Sequence, residues 1–516
     1  MDISSLDITS NFSAIDWAVV AVYLAGTVLI GLYVNRYVSN MADFVVAGRS
    51  LNTWIAVATM IGSELGLVTV MFAAQTGFSH GFAAFHIPLV AGAVTLMVGL
   101  TGFIVVPLRQ MGVMTIPEFY ERRFGRDVRI FGGLILVLAG LLNMGLFLRA
   151  GALFISGLTG MTSDVEIKLL MTALLGLVLF YTILGGMISV VITDYIQFVV
   201  LAFGMLLACW FAVDRLGWSN IVETVKAQSG AGGFNPFLDE SVGWEYVIWQ
   251  LFTAGLVSCA IWQTAVMRAC SAESVAVVKR LYRFSSIGFL IRFLVPQFLG
   301  ICAFVFIIQQ TSHQALFIGE GADSDLTLQA MPLFLSQLLP AGVIGLIAAG
   351  MLAGFMSTHD SYLLCWSSVL TQDVIAPLMG DRLSVKGRLL LTRISVAVMG
   401  VFLLIWGLWY PLENDLWDYM AVTGAIYFTG AFALLLFGLY WRGASRFGAF
   451  LALNCGLGAV FGLPPVQSAF GVTAILSGAK VGLMVTVGCL VAMLVGSFWV
   501  PDRNSLHDSA RMERTS

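Results

Sequence analysis

Apolar residues run along this chain in long blocks, with few of the short alternations that mark half-buried strands. Windows of about 20 apolar residues, enough for an α-helix to cross the hydrocarbon core of a bilayer, recur near 16–35, 51–77, 82–108, 128–158, 164–185, 189–213, 245–268, 284–309, 340–374, 389–411, 415–439, 446–463 and 481–499. The pattern predicts an all-α polytopic membrane protein with 13 transmembrane helices. They form a single transmembrane domain over 1–500, followed by a short cytoplasmic tail over 501–516.

Three spans carry polar or small residues where a membrane helix should be apolar. Span nine contains Ser357, Thr358, His359, Asp360 and Ser361 at its centre. At about 100° per residue, Gly350, Gly354, Ser357 and Ser361 fall on one face, with Thr358 and Asp360 on its two edges and His359 on the far side. Hydroxyls and a carboxylate are expensive at bilayer depth unless they face a cavity, a partner or an ion, so an intramembrane acid reads as a functional site. Small residues can also serve as helix-packing contacts, with hydroxyls bonded back to their own backbone. That alternative leaves Asp360 unexplained. His359 is expected to be a packed histidine.

Span two brackets Ser63 and Glu64 between Gly62 and Gly66, and span seven interrupts itself at Thr253, Ala254, Gly255 and Ser258. Both predict discontinuous helices, whose exposed backbone carbonyls can bind a cation when they line a cavity. The alternative for span two is a small-residue packing face with Glu64 reaching a basic partner. Taking spans two and seven as corresponding first helices gives an inverted pair of five-helix repeats, spans two to six (51–213) and seven to eleven (245–439).

Composition agrees with a membrane protein: 59% of residues are hydrophobic and 11% charged, against about 25% charged in soluble domains. The net charge of −3 says little, because the placement of basic residues is what orients a membrane protein. With the N-terminus outside and the C-terminus cytoplasmic, 20 of the 26 lysines and arginines fall in inside loops, the distribution expected of a multi-pass plasma-membrane protein. The seven cysteines are scattered, without metal spacing or a disulfide pattern. The acidic N-terminal stretch lacks the basic region of a signal peptide, so the first span is expected to be retained. His80 and His86 lie near an outer turn as a histidine pair without cysteine or acid partners, which is weak evidence for a metal. There is no HExxH and no GxSxG, so an enzyme is not expected.

Four ordered motifs narrow the reading further. TIPEFYERRFG covers Thr115–Gly125, YTILGGMISVVITDYIQF covers Tyr181–Phe198, a Q-x-x-x-x-R pattern ends span seven at Gln263–Arg268, and GLYWRGASRFGA begins at Gly438. In the second of these, Gly185 and Gly186 predict a tight inside turn between spans five and six, with Asp194 beyond it. Together these motifs resemble the sodium:solute symporter family, colinearly from about Asn35 to Ala452.

The resemblance implies the five-plus-five inverted-repeat fold shared with amino-acid and sugar symporters, and sodium-coupled import of a small solute by alternating access. It places a primary sodium site at backbone carbonyls of Gly62 and Leu65 on span two and at Gly354, Ser357 and Thr358 on span nine. Five neutral oxygens suit a hard monovalent cation that must also leave. A second cation, found in some members, would use Asp194, Asp360 and Ser361. Because Asp360 stands where a hydroxyl is expected, a second sodium, a proton, or a structural pair of acids sharing one proton all remain open. The coupling ion is thus Na+, one or two per cycle.

The solute is expected beside the sodium, among Ser63, Glu64 and Gly66, then Trp262, Gln263 and Thr264, and the aromatics Tyr419, Tyr427 and Phe428. Bulky Trp262 and the apolar surroundings favour an amino acid or organic acid over a sugar. Glu64 would tune sodium affinity or meet a substrate amine. Arg292 would pair with a buried acid or grip a carboxylate. The partners implied are a small solute, Na+ and the lipid bilayer, with no nucleic acid. An H+-coupled or uncoupled carrier follows if Asp360 or Glu64 titrates during the cycle. A membrane sensor is disfavoured, since only about 16 residues follow the last span.

Overall fold

The computed structural model describes residues 10–34, 49–161, 163–239, 242–310, 314–318, 324–409, 416–471 and 477–502. The side chain of Asp194, most of the expected cytoplasmic tail, and Arg36, Arg503, Arg511 and Arg514 lie outside the described residues.

Among the described residues the secondary structure is helical, with one isolated parallel bridge between Leu51 and Ala272. The principal helices are α1 (Ala14–Val34), α2 (Thr53–Glu64), α3 (Leu67–His80), α4 (His86–Thr101), α5 (Ile116–Phe124), α6 (Arg126–Met144), α7 (Phe147–Thr159) and α8 (Asp164–Leu216). They continue with α9 (Gly243–Trp249), α10 (Gln263–Ser271), α11 (Val275–Gln309), α12 (Ser324–Leu338), α13 (Val343–Val369), α14 (Val385–Trp409), α15 (Leu416–Tyr440), α16 (Arg446–Leu457) and α17 (Gly478–Trp499). Nine helical segments among the described residues are long and apolar enough to cross a membrane, and Ala14–Gly26 and Arg446–Gly462 are shorter apolar helices.

Two expectations about the helices need correction. Span seven is interrupted later than the sequence suggests. Gln250–Val257 is a π-helix, Ser258–Ile261 a single α-helical turn, and the chain leaves helical geometry at Trp262 (φ −56°, ψ 116°) before α10 begins. Thr253, Ala254 and Gly255 lie inside the π-helix, which widens the helix without ending it, and Ser258 begins the α-helical turn that follows. Spans five and six form one helix, α8, of 53 residues. The turn expected at Gly185 and Gly186 is absent, since helix hydrogen bonds continue through both glycines at about 1 kcal/mol each relative to alanine.

The break in span two lies where the sequence places it. Asn52 Oδ1 accepts from the Ile55 amide (3.1 Å) and starts α2. The helix ends at Leu65 (φ −89°, ψ 61°), and α3 starts after an extended Gly66 (φ −88°, ψ 166°). Any residue can adopt those angles, so glycine is required here for another reason: a Cβ at Gly66 would run into Thr358 Oγ1.

Glycine also lets neighbouring helices touch backbone to backbone, as small residues do in membrane proteins. A Cβ on Gly77 would meet the Gln297 carbonyl, and one on Gly300 would meet the Ala74 carbonyl, so α3 and α11 cross in direct main-chain contact. Gly350 of the central small-residue face serves this purpose as well, its Cβ position lying 3.1 Å from Leu201 Cα on α8. Elsewhere polar groups fix the frame. Asp16 on α1 accepts from the Gly342 (2.7 Å) and Gly345 (2.6 Å) amides and caps α13. Arg129 on α6 holds Asp373 (2.8 Å) and the Gln372 carbonyl (2.9 Å) just beyond the other end of α13, and pairs with Glu121 on α5.

Substituting Gly300→Val should therefore destabilise the protein by more than the ~1–3 kcal/mol of ordinary overpacking, because the obstructing Ala74 atoms are backbone. Thermal unfolding of the purified protein, with Gly176→Ala as the control at a position with open space, measures this.

Candidate functional site

The site begins at the break. The Glu64 carbonyl, freed by the end of α2, accepts from Thr69 Oγ1 (2.9 Å) and Arg292 Nη1 (3.2 Å). The Ile61 carbonyl accepts from the Leu65 amide (2.8 Å). The Leu65 carbonyl turns toward α13, with its oxygen 3.1 Å from where a Cβ on Gly354 would stand. Thr358 Oγ1 donates to the Gly354 carbonyl (2.9 Å), so its hydrogen points back along its own helix while its oxygen abuts Gly66. Gly62, one turn before the break, and Ser357, beside Thr358, are both buried. Leu65, Gly354 and Thr358 thus converge on the break, flanked by Gly62 and Ser357, in a setting of neutral oxygens.

The side chain of Glu64 joins three elements. Its Oε2 lies 2.9 Å from Arg292 Nη1 on α11, and its Oε1 accepts from Thr264 Oγ1 on α10 (3.0 Å). Phe289 and Phe293 lie against the Arg292 guanidinium at 4.0 and 4.5 Å, which adds a cation–π contribution. The pair is nearly buried, with side-chain exposures of 9% for Glu64 and 12% for Arg292. Such a pair is a weak net stabiliser, but loss of one partner strands the other charge.

Glu64 and Arg292 also line a cavity of about 120 Å³. Trp262, Tyr362 and Phe428 form an aromatic wall, tied by a Trp262 Nε1 to Tyr362 hydroxyl bond (3.0 Å) and edge-on ring packing of Trp262 on Phe428. Four polar atoms on lining residues are buried without a hydrogen-bond partner: Asn143 Oδ1, Gln250 Oε1, Trp417 Nε1 and Arg292 Nε. Unpaired buried polar atoms are rare and point to a ligand or water. Asn143 is fixed through its other end, with Nδ2 donating to the Met420 carbonyl (2.7 Å) and Thr423 Oγ1 (3.1 Å).

Of the residues expected around the solute, only Glu64, Trp262 and Phe428, together with Arg292, line this cavity. Ser63 Oγ lies 3.4 Å from the Met60 carbonyl of its own helix, and Gly66 packs on Thr358. Gln263 points away, its Oε1 accepting from the Ile116 amide at the start of α5 (3.1 Å). Thr264 reaches the site only through Glu64, and Tyr419 donates to the Leu142 carbonyl (2.6 Å). Tyr427 is buried off the wall, one residue from Phe428. Asn143 and Gln250 were missed, although an amide inside an apolar span carries the same signal as Asp360.

One turn along α13, Ser361 Oγ accepts from Arg268 Nη2 (3.0 Å) and lies 3.3 Å from Asp360 Oδ1. His359 is a packed histidine, its Nδ1 2.8 Å from the Phe355 carbonyl and its ring against Phe355 and Phe147. His80 does have an acid partner, distant in sequence, since its Nδ1 is 3.1 Å from Asp239 Oδ2. Among the described residues no group of three or more His, Cys, Asp or Glu gathers as a metal site.

This arrangement, two interrupted helices around a cavity beside an oxygen-lined break, is that of a secondary transporter. The sodium:solute symporter family model matches residues 44–456, and the chain belongs to that family. It is 27% identical to the sodium/glucose cotransporter of Vibrio parahaemolyticus, over 87% of this chain and 84% of that one. It is also 27% identical to the human sodium/myo-inositol cotransporter, over 86% of this chain and 66% of that one. In three dimensions it resembles a Na+-coupled sialic acid symporter in a substrate-bound outward-open state, with a TM-score of 0.80 over 95% of this chain and 99% of that one. At 21% sequence identity this likeness shows the fold alone. The protein is thus a multi-pass membrane transporter and not an enzyme, with Na+ and a small solute as its partners.

Arg292→Met should lower thermal stability by about 3–5 kcal/mol through the stranded Glu64, and Glu64→Gln combined with Arg292→Met should restore most of the loss. A double variant no more stable than the single one counts against the pair.

Proposed function

We propose that the protein imports a small uncharged polar solute together with sodium, by alternating access about the two helix interruptions. The observation that carries this reading is the seating of the Leu65–Gly66 break on Gly354 and Thr358. In this reading Na+ is held by the carbonyls of Gly62, Leu65 and Gly354 and the hydroxyls of Ser357 and Thr358, and the solute occupies the adjoining cavity.

The preference for an amino acid or organic acid changes with the cavity's electrostatics. Glu64 and Arg292 offset each other's charge, so the wall offers no net charge to a substrate amine or carboxylate. What remains on lining residues is two amide acceptors and two donors, Asn143 Oδ1, Gln250 Oε1, Trp417 Nε1 and Arg292 Nε. That set suits hydroxyl or amide groups on a neutral solute. The glucose and inositol carriers among its relatives support the same class.

Residues 51–213 and 245–439 form the two repeats of one transmembrane domain over 1–500, with the plasma membrane as the location. One sodium moving down a tenfold gradient and ~100 mV releases about 3.7 kcal/mol, enough to concentrate a neutral solute on the order of 500-fold.

Ser357→Ala and Thr358→Ala should each raise the sodium concentration for half-maximal uptake at least several-fold; unchanged sodium dependence in both would falsify the site. Asn143→Ala should weaken solute binding about tenfold while leaving sodium binding without solute unaltered, measured by sodium-dependent thermal shift across sugars, polyols, amino acids and monocarboxylates. If charged solutes alone give a shift, the uncharged-solute reading fails.

A further inference from the structure

Thr486 lies on α17, beyond the stretch 44–456 over which the family matches. Its hydroxyl nevertheless meets a residue of the solute cavity, with Oγ1 3.0 Å from Thr253 Oγ1 in the π-helix of span seven. Both residues are buried. The direction of the bond follows from the partners: Thr486 Oγ1 donates its one hydrogen to the Gly482 carbonyl (2.7 Å), so Thr253 donates and Thr486 accepts. A threonine inside a helix commonly bonds back to the carbonyl four residues earlier, as Thr76, Thr95 and Thr358 do here. Thr253 commits its hydrogen to another helix instead.

This bond is the third of three contacts down one seam. Lys480 Nζ lies 3.2 Å from Glu245 Oε2 near the start of α9, at an exposed position worth little by itself. Next along, a Cβ on Gly482 would stand 2.5 Å from Trp249 Nε1, so the buried indole rests on the bare backbone of α17. Glu245, Trp249 and Thr253 recur every four residues and share one face of span seven. Gln250 lies between the second and third contacts and lines the cavity with an Oε1 that has no hydrogen-bond partner. A π-helix is a rare geometry, found mostly as short bulges at functional sites. Here the seam clamps its first turn.

We propose that Gly482 and Thr486 are positioning residues for solute binding: they fix the first turn of the π-helix from behind and so keep the Gln250 amide available to the solute. The proposal rests on the reading of this cavity as the solute site. Affinity for the solute is then set in part by a helix outside both repeats, none of whose residues lines the cavity.

Solute binding to the purified full chain at saturating sodium tests it, with D-glucose, myo-inositol, L-alanine and lactate as probes and thermal shift against probe concentration as the readout. Thr486→Val keeps the shape and removes the acceptor. It should weaken binding about fivefold, the worth of one ordinary hydrogen bond, and leave sodium binding without solute unaltered. Thr486→Ser, which keeps the hydroxyl, should bind within about twofold of wild type. Gln250→Ala should weaken binding about tenfold, and Thr486→Val added to it should cost less than about twofold more, because the two act through one group. Thr486→Cys, a weak acceptor, replaces the valine variant if that one does not fold. A valine or cysteine variant that binds the probes as wild type does overturns the proposal and leaves the solute site standing. Full additivity with Gln250→Ala, or a serine variant no better than valine, does the same. A wild-type chain that binds none of the four probes overturns the solute reading and the proposal together. One that binds lactate alone overturns the uncharged-solute reading, and the same variants then decide the proposal with lactate as the probe.

Discussion

A carboxylate and a guanidinium buried between two interrupted helices set the terms for the centre of this molecule. Either group alone at that depth would be expensive to bury. Together Glu64 and Arg292 neutralise each other, and Arg292 also takes up the Glu64 carbonyl that the end of α2 leaves without a helical partner. With that carbonyl satisfied, the next one, on Leu65, is the one that faces α13. The ion pair thus determines which backbone oxygen the break presents, and it removes net charge from the cavity wall.

The same residues make the two binding places neighbours in the chain. Glu64 puts its side chain on the cavity, and Leu65 puts its carbonyl on the opposite side, toward Gly354. Two ligands bound there would share one short piece of main chain, so a shift caused by one is felt by the other without a relay of side chains. Thermodynamic coupling between sites requires a differential contact of this kind.

Local chemistry was legible in the sequence, and pairing across the fold was not. The glycine-bracketed acid at 62–66 located the first break to within a residue or two, because a helix that holds polar and small residues at membrane depth has few other reasons to do so. Span seven was harder: Thr253, Gly255 and Ser258 look like breakers, yet helical geometry, π and then α, runs through all three and the interruption falls at Trp262. Gly185 and Gly186 gave the opposite error, since flanking apolar residues carry the helix through them. Gln263 and Tyr427 were misplaced because a side chain's direction depends on which helix lies opposite, as Gln263 shows by turning to α5. The ion pair of Glu64 with Arg292 joins residues 228 apart. The sequence offered both charges and named a buried acid as the expected partner of Arg292, but spacing alone could not say which acid.

The small bridge between Leu51 and Ala272 has a mechanical meaning. Leu51 donates to the Ser271 carbonyl (3.2 Å) and accepts from the Glu273 amide (3.0 Å), while Arg109 closes over the Ala272 carbonyl (2.9 Å). These bonds splice the start of α2 to the end of α10, the two half-helices whose other ends stop at the pivots Leu65 and Trp262. Two levers pinned together at their tips swing as one, so neither half-helix tilts without drawing the other along.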